Sequence, residues 1–493
     1  MTVAEIMLRG GRVIDPESGF DSVCDVVIAG GHIVDIGNGA DHAAVDLDVR
    51  GQVVTAGFVD IHSHTAGIAG LRLRVLDGVT TALELEAGVS PVELAYEQAA
   101  ASGLPVNYGY SASWALARME AVSGVELDGR LDTFLTNIAT PAWQRAATPG
   151  QIAGLLERLR ADLADGAIGI GVLVGYAPGT DPDEYLQVAA LAAEAGVPTF
   201  THARDLIEMV PTALIDGAEE IVRAAAETGA HMHYCHLNST SFRYVDRVLE
   251  TVGRVQAAGS RVTTEAYPYG AGMTGIGAAF LAPERLAERD LEPADLTYAP
   301  TGERIASTER LRELRATDPG GLVIIRHLDE DKPADRQVML RSLEFPNAVV
   351  ASDAMPLTWP GPAPDQLTWP LPDGAFTHPR TTGTFGRALR MLAAEGGPLG
   401  LTETLRRCSL LPAQLLETSG VAAMKRKGRI QAGCDADIVV FDPATVTDQS
   451  TYKQTTLPTT GMKHVLVNGE FVVKDGELLP CALPGRPVRA TPR

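Results

Sequence analysis

Two hydrophobic periods run along this 493-residue chain, and the switch between them divides it. At the N-terminal end, β-branched and apolar residues recur at alternate positions over 5–14, 25–29 and 32–36, separated by Gly-Gly and Asn-Gly turns. A period of two between turn formers predicts short strands. The far end repeats it over 436–441, 464–467 and 471–473, where Asn468-Gly469 between two apolar runs is a strong hairpin signal. Neither end has enough strands to bury a core alone. The simplest arrangement is one small β-sandwich built from both termini, residues 1–54 and 421–493.

Between 55 and 420 the pattern becomes apolar strand, loop, amphipathic helix, repeated. Strands are predicted over 53–61, 80–86, 106–110, 167–172, 199–202, 231–236, 261–266, 323–326 and 348–351, and helices over 148–165, 182–194, 214–227 and 242–257. Alternation over roughly 250 residues or more predicts an α/β fold, a (β/α)8 barrel of the TIM type, with its site at the C-terminal ends of the strands. The proline-rich stretch 356–379 predicts a long loop over the barrel mouth, in the position of a lid.

Composition narrows the partners. A net charge of −21, from 41 basic and 62 acidic residues, argues against nucleic acid or an anionic membrane and leaves a small-molecule substrate. No apolar stretch is long enough to span a bilayer, and no signal-peptide pattern opens the chain. The five cysteines are odd in number, scattered and without CxxC spacing, so neither a disulfide framework nor a cysteine zinc site is expected, and a reducing cytoplasm fits. A homo-oligomer is compatible with these numbers.

Chemistry enters at the strand ends. An apolar strand runs into His62-Ser-His64, and imidazoles at i and i+2 share a face and can chelate one divalent cation; two ordinary histidines are the alternative. His202 and His236 each end an apolar strand where it meets a loop. His231 and His233 differ in parity from His236 and are expected to face helices or solvent. Asp353 closes a late strand, where the bland reading is a turn or cap aspartate. In the second barrel strand Glu84 and Glu86 share parity, and two carboxylates inside an apolar strand are costly unless paired or metal-bound. Glu86, nearer the C-terminal end, is the preferred metal ligand, with Glu84 beneath it in support.

Four histidines, these glutamates and an aspartate form a nitrogen–oxygen site that suits one or two zinc ions, with other divalent transition metals possible. Such an ion lowers the pKa of a bound water and polarises a carbonyl. Asp353 would accept the proton of the water and pass it to a leaving amine, which is hydrolysis of an amide or related C–N bond.

The order of these motifs resembles the amidohydrolase superfamily over nearly the whole chain, and within it the N-acyl-D-amino-acid deacylases. The stretches that carry the likeness are Leu8-Arg-Gly-Gly-Arg-Val-Ile-Asp15, Ala56-Gly-Phe-Val-Asp-Ile-His62, Gly78-Val-Thr-Thr81, Thr201-His-Ala-Arg204, Ala266-Tyr-Pro-Tyr269, Thr377-His-Pro-Arg-Thr-Thr-Gly-Thr-Phe385 and Gly433-Cys-Asp-Ala-Asp-Ile-Val-Val-Phe-Asp-Pro443. The resemblance implies metal ligation by His62, His64, His202 and His236, Asp353 as the base, and Tyr176, Tyr269 and Arg380 near the substrate. It also marks departures. Where those deacylases carry a bridging cysteine this chain has Ala87, and Glu86 is expected to take its place. Their His-x-Lys, whose lysine pairs with the substrate carboxylate, is here His236-Leu-Asn238, so Asn238 offers a neutral amide to the substrate. Trp114 stands where they have a histidine, and the fourth strand has no lysine to carbamylate. The leading reading is deacylation of an N-acyl-D-amino acid; opening of a cyclic amide or imide, or deamination, on the same metal is the alternative, and a silent binding protein is a third.

Overall fold

The computed structural model describes residues 4–37, 42–394 and 397–491; the expected Asn38-Gly39 turn lies outside them. Eight parallel strands follow one another in chain order around a barrel: Phe58–Asp60, Val79–Val89, Asn107–Ser113, Ile170–Val172, Pro198–Thr201, His231–Tyr234, Val262–Ala266 and Val349–Val350. The last closes on the first where the His64 amide donates to Ala354 O at 2.7 Å. Val59, Leu83, Phe200 and Val349, from four of the strands, meet in a buried apolar cluster with Ile168 and Cys235, which lie just outside the ends of two others. That filling makes the barrel a packed core with its chemistry confined to one end.

Helices cover the outside, and their ends follow local sequence signals. Pro149–Ala164 starts at a Thr148/Gln151 capping box with proline in its first turn, and Gly217–Thr228 starts at Asp216, which accepts from two amides. Among the described residues no helix is long and apolar enough to cross a membrane.

The strand expected at 323–326 is real but does not belong to the barrel. Leu322–Arg326 pairs antiparallel with Ala271–Gly275 and Leu296–Tyr298 in a separate four-stranded sheet inserted between the seventh and eighth barrel strands. A short apolar run carries no mark of the sheet it will join.

The termini build one nine-stranded sheet, in which Val53–Ala56 bridges the N-terminal strands to Ile438–Phe441 and Met462–Val467. The predicted hairpin forms, with Asn468 and Gly469 at φ 50° and 81°, the left-handed pair that a tight two-residue turn requires. Residues near the C-terminal end, expected in the sandwich, run instead along the third barrel strand: Val488 donates to Tyr108 O at 2.7 Å and accepts from Tyr96 Oη at 2.6 Å.

Candidate metal centre

Each oxygen of the Glu86 carboxylate faces a pair of imidazoles. Oε2 lies 3.2 Å from His62 Nε2 and 3.5 Å from His64 Nε2, while Oε1 lies 2.6 Å from His236 Nε2 and 3.3 Å from His202 Nδ1. Within the pairs the nitrogens are 3.1 Å and 3.0 Å apart. Asp353 Oδ1 sits 3.5 Å and 3.4 Å from the Nε2 atoms of His62 and His64. A tetrahedral zinc site with bonds of about 2.0–2.1 Å has ligand atoms roughly 3.3 Å apart. His62–His64–Glu86 and Glu86–His202–His236 therefore have the edge lengths of two metal triangles that share one carboxylate.

The electrostatics agree. Burial disfavours charge on His62 and His64, yet the carboxylates around them, Glu265 and Glu86 for His62 and Glu84 for His64, hold both imidazoles well above their ordinary pKa. Glu86 is buried too, and His236 and His62 keep it well below the usual carboxylate range. Asp353 is likewise held down against burial by Arg380 and His62. Ionised carboxylates packed among imidazoles in a dry site call for cations, supplied by protons or by a metal.

A second ring of side chains aims the first. Glu84 accepts from His64 Nδ1 at 2.8 Å and from the amides of Ala87 and Gly88 at 3.2 Å and 3.3 Å, which turns His64 Nε2 inward. Glu265, on the seventh strand, accepts from His62 Nδ1, from His233 Nε2 at 3.1 Å and from the His236 amide at 3.2 Å. Asp60 binds Arg74 Nη2 at 2.5 Å and the amides of His62 and Ser352. His236 and Asp353 themselves have positive φ, 29° and 51°, an unfavourable backbone for such residues that is retained where geometry matters.

A pocket opens over the centre. Its apolar wall includes Leu131, Phe134, Met273, Phe280 and Ile325; its polar wall includes Tyr267, His327 and Arg289. Arg289 is matched by Asp205 and lies over the Phe280 ring at 4.2 Å. None of the pocket's lining residues comes from the 356–379 loop, which is tied down elsewhere, through Arg72 Nη1 donating to Leu367 O at 2.9 Å. The wall comes instead from the inserted sheet and from helix Leu131–Asn137.

The structure thus brings together His62, His64, Glu86, His202, His236 and Asp353, with Glu84 on the outer nitrogen of His64 rather than at the metal face. Tyr176 lies in the pocket wall, its ring 4.7 Å from that of His202 and its hydroxyl 2.7 Å from Thr274 Oγ1. Arg380 reaches the centre through Asp353, donating from Nη2 to Oδ2 at 2.8 Å.

Two expected substrate contacts are elsewhere. Asn238 lies outside the pocket wall because both ends of its amide are held by the backbone of Tyr267: Nδ2 donates to the carbonyl at 3.2 Å and Oδ1 accepts from the amide at 3.4 Å. Tyr269 is buried behind the wall, its hydroxyl on Pro379 O and its ring under Arg387 at 4.3 Å; Tyr267, two residues earlier, faces the pocket. His233 does not face helices or solvent either. It is fully buried between Phe200 and Glu265, and His231 is buried against Thr263. Trp114 donates to Glu184 at 3.1 Å, away from the centre. Glu265 could have been found by the logic applied to Glu84 and Glu86, since it too is a carboxylate inside an apolar strand. Tyr267 lies in the Ala266-Tyr-Pro-Tyr269 stretch, of which only the second tyrosine was expected near the substrate, and nothing local marks His327.

A model described as the amidohydrolase family matches residues 45–473. The chain is 27% identical over 472 residues to N-acyl-D-glutamate deacylase of Alcaligenes xylosoxydans xylosoxydans, covering 90% of this chain and 88% of that one. It is 29% identical over 497 residues to D-aminoacylase of the same organism, covering 94% and 93%. Among solved structures it superposes on N-acyl-D-glutamate deacylase from Bordetella bronchiseptica, a complex with zinc and a phosphonate inhibitor, with a TM-score of 0.75 at 24% identity over 99% of this chain and 100% of that one. At that identity the likeness speaks for the shared barrel-and-sheet fold.

Proposed function

The chain belongs to the amidohydrolase family, and from that premise we propose that it is a metal-dependent hydrolase of non-peptide C–N amide bonds whose substrate is an N-acyl-D-amino acid. The observation that carries this reading is the sharing of Glu86 between two imidazole pairs, with Asp353 beside one of them. His62, His64, His202, His236 and Glu86 would hold one or two zinc ions. Zinc bound there supplies Lewis acidity toward the acyl carbonyl and makes water a stronger acid.

The chain's own residues do the rest. Asp353 is ionised and buried, with Oδ2 anchored by Arg380 and Oδ1 turned to the centre. It accepts the proton of the attacking water and delivers it to the leaving nitrogen. The amine half of the substrate then lies on the Asp353 side, where Arg380 offers a positive charge to its carboxylate. The relatives named for N-acyl-D-amino acids support this assignment. So does the buried Nη1 of Arg380, a donor without a partner that a substrate carboxylate would match. All five cysteines are free thiols, which supports a reducing cytoplasm.

The test is release of amine from a panel of N-acyl-D- and N-acyl-L-amino acids by zinc-loaded protein, with hydantoins and cyclic imides alongside. Turnover of the D-acids is expected; ring opening without amine release would overturn the deacylase assignment.

A further inference from the structure

Unmatched buried groups meet at one corner of the pocket. Arg380 uses Nε on Asp353 O and Nη2 on Asp353 Oδ2, which leaves Nη1 buried without a partner. The Tyr267 hydroxyl is also buried and makes no well-formed hydrogen bond, although the Ser239 side chain interacts with it, and the Arg380 guanidinium lies over the Tyr267 ring at 4.6 Å. His327 follows the inserted strand Leu322–Arg326, and its ring is braced edge-on by Phe242 at 4.5 Å. Its Nδ1 is the third buried atom without a partner.

These groups converge on Gly272. A Cβ on that residue would sit 3.3 Å from His327 Nε2, 3.4 Å from Tyr267 Oη and 3.8 Å from Arg380 Nη1. The glycine leaves open a space the size of a small polar group, ringed by a guanidinium, a phenol and an imidazole. Leaving buried donors such as Arg380 Nη1 and the Tyr267 hydroxyl unmatched is costly, so such a corner is built for an acceptor. Arg289 is held by Asp205, and none of its nitrogens is among the unmatched buried atoms, unlike Nη1 of Arg380.

Resting on the deacylase reading, we propose that His327 is a specificity-determining residue: with Tyr267 and Arg380 it receives the carboxylate of the amine half of the substrate. Asn238, held by the Tyr267 backbone, cannot perform this task. The imidazole is suited to it. Burial, with Arg289 and Arg380 nearby, pushes its pKa down to about 3, so the ring is neutral and carries one N–H. An unpaired buried N–H is rarer than an unpaired lone pair, which leaves the lone pair on Nδ1 and the N–H on the pocket-facing Nε2.

The experiment compares two probes on the full-length zinc-loaded protein by titration calorimetry: D-leucine, which carries the carboxylate, and D-leucinamide, which lacks it. Wild type should prefer D-leucine. His327→Ala should lose roughly 10- to 100-fold in affinity for D-leucine, the worth of one hydrogen bond to a charged group, with D-leucinamide unchanged. His327→Asn, which keeps an N–H donor, should recover part of the loss, and Gly272→Ala should block D-leucine by filling the corner. In turnover of N-acetyl-D-leucine the His327→Ala defect should appear in KM rather than kcat. Equal loss of both probes, unchanged D-leucine binding in His327→Ala, or no binding of D-leucine by wild type would each overturn the proposal. If wild type releases amine from no N-acyl amino acid, the deacylase reading falls, while the binding comparison still decides the role of His327.

Discussion

Arg380 and Asp353 form a buried ion pair at 2.8 Å in which only one oxygen of the carboxylate is used, so that the other faces His62 and His64. The pairing fixes which oxygen can accept a proton and keeps the group ionised. Asp353→Asn should retain zinc, because the four imidazoles and Glu86 are untouched, and should lose roughly 10²- to 10⁴-fold in kcat as the general base disappears. Metal analysis alongside steady-state rates checks both halves. A rate near wild type would remove Asp353 from the proton transfer.

Glu86 and Glu84 are two residues apart and do different work. Glu86 touches both imidazole pairs, whereas Glu84 reaches only the outer nitrogen of His64. Glu86→Gln should therefore lower zinc content and affinity severely, since an amide offers one poor acceptor where the carboxylate offered two. Glu84→Gln should cost about 10- to 100-fold in affinity, the usual effect of removing a group that orients a ligand. Competition titration with a chromogenic chelator ranks them, and the reverse order would mean that Glu84 is the bridging ligand.

Much of this centre was legible because it sits where two strong rules cross. A barrel strand has no solvated face, so histidines and glutamates at its C-terminal end must be paired or functional, and that isolates His62, His64, Glu86, His202 and His236. Rules of this kind act along a strand and weaken beyond it. The inserted sheet uses strands as short and apolar as those of the barrel, and no periodicity distinguishes them, so His327 carried no signal. Asn238 and Tyr269 were misplaced for a related reason: they follow strand ends where the chain turns, and the turn, not the spacing, decides where a side chain points. Glu265 was readable in principle, but the demand for a partner falls on strand pairs that only the closed barrel reveals.

The two parts of the molecule are joined by a buried charge. Lys427 Nζ lies 3.0 Å from Asp435 and 2.7 Å from Asp437, and Asp437 also accepts from Asn107 of the third barrel strand at 2.9 Å and from the Asn468 amide of the terminal hairpin at 2.7 Å. Removing the cation leaves two carboxylates buried together. Lys427→Met should cost about 3–5 kcal/mol of stability, read as a lower denaturation midpoint, while zinc content and kcat at low temperature stay near wild type. An unchanged midpoint would show that the cluster does not hold the two parts together.

Glu265 is the strongest candidate for a residue that acts on the reaction without touching it. Its carboxylate is fully buried, and His62 and His233 hold it well below the ordinary range against the pull of burial. It fixes the ring of His62 from behind and, through the His236 amide, the loop that carries a second ligand. Glu265→Gln keeps the shape but loses the charge that makes His62 a more basic ligand. Zinc affinity should fall about 10- to 100-fold. With zinc in excess, kcat should recover most of its value, because Asp353 and the pocket are intact. The discriminating readout is the zinc dependence of the rate: a shift of that curve to higher zinc with the plateau preserved identifies a positioning role. A lowered plateau with an unshifted curve would place Glu265 in the chemistry itself, and no change in either would reduce it to packing.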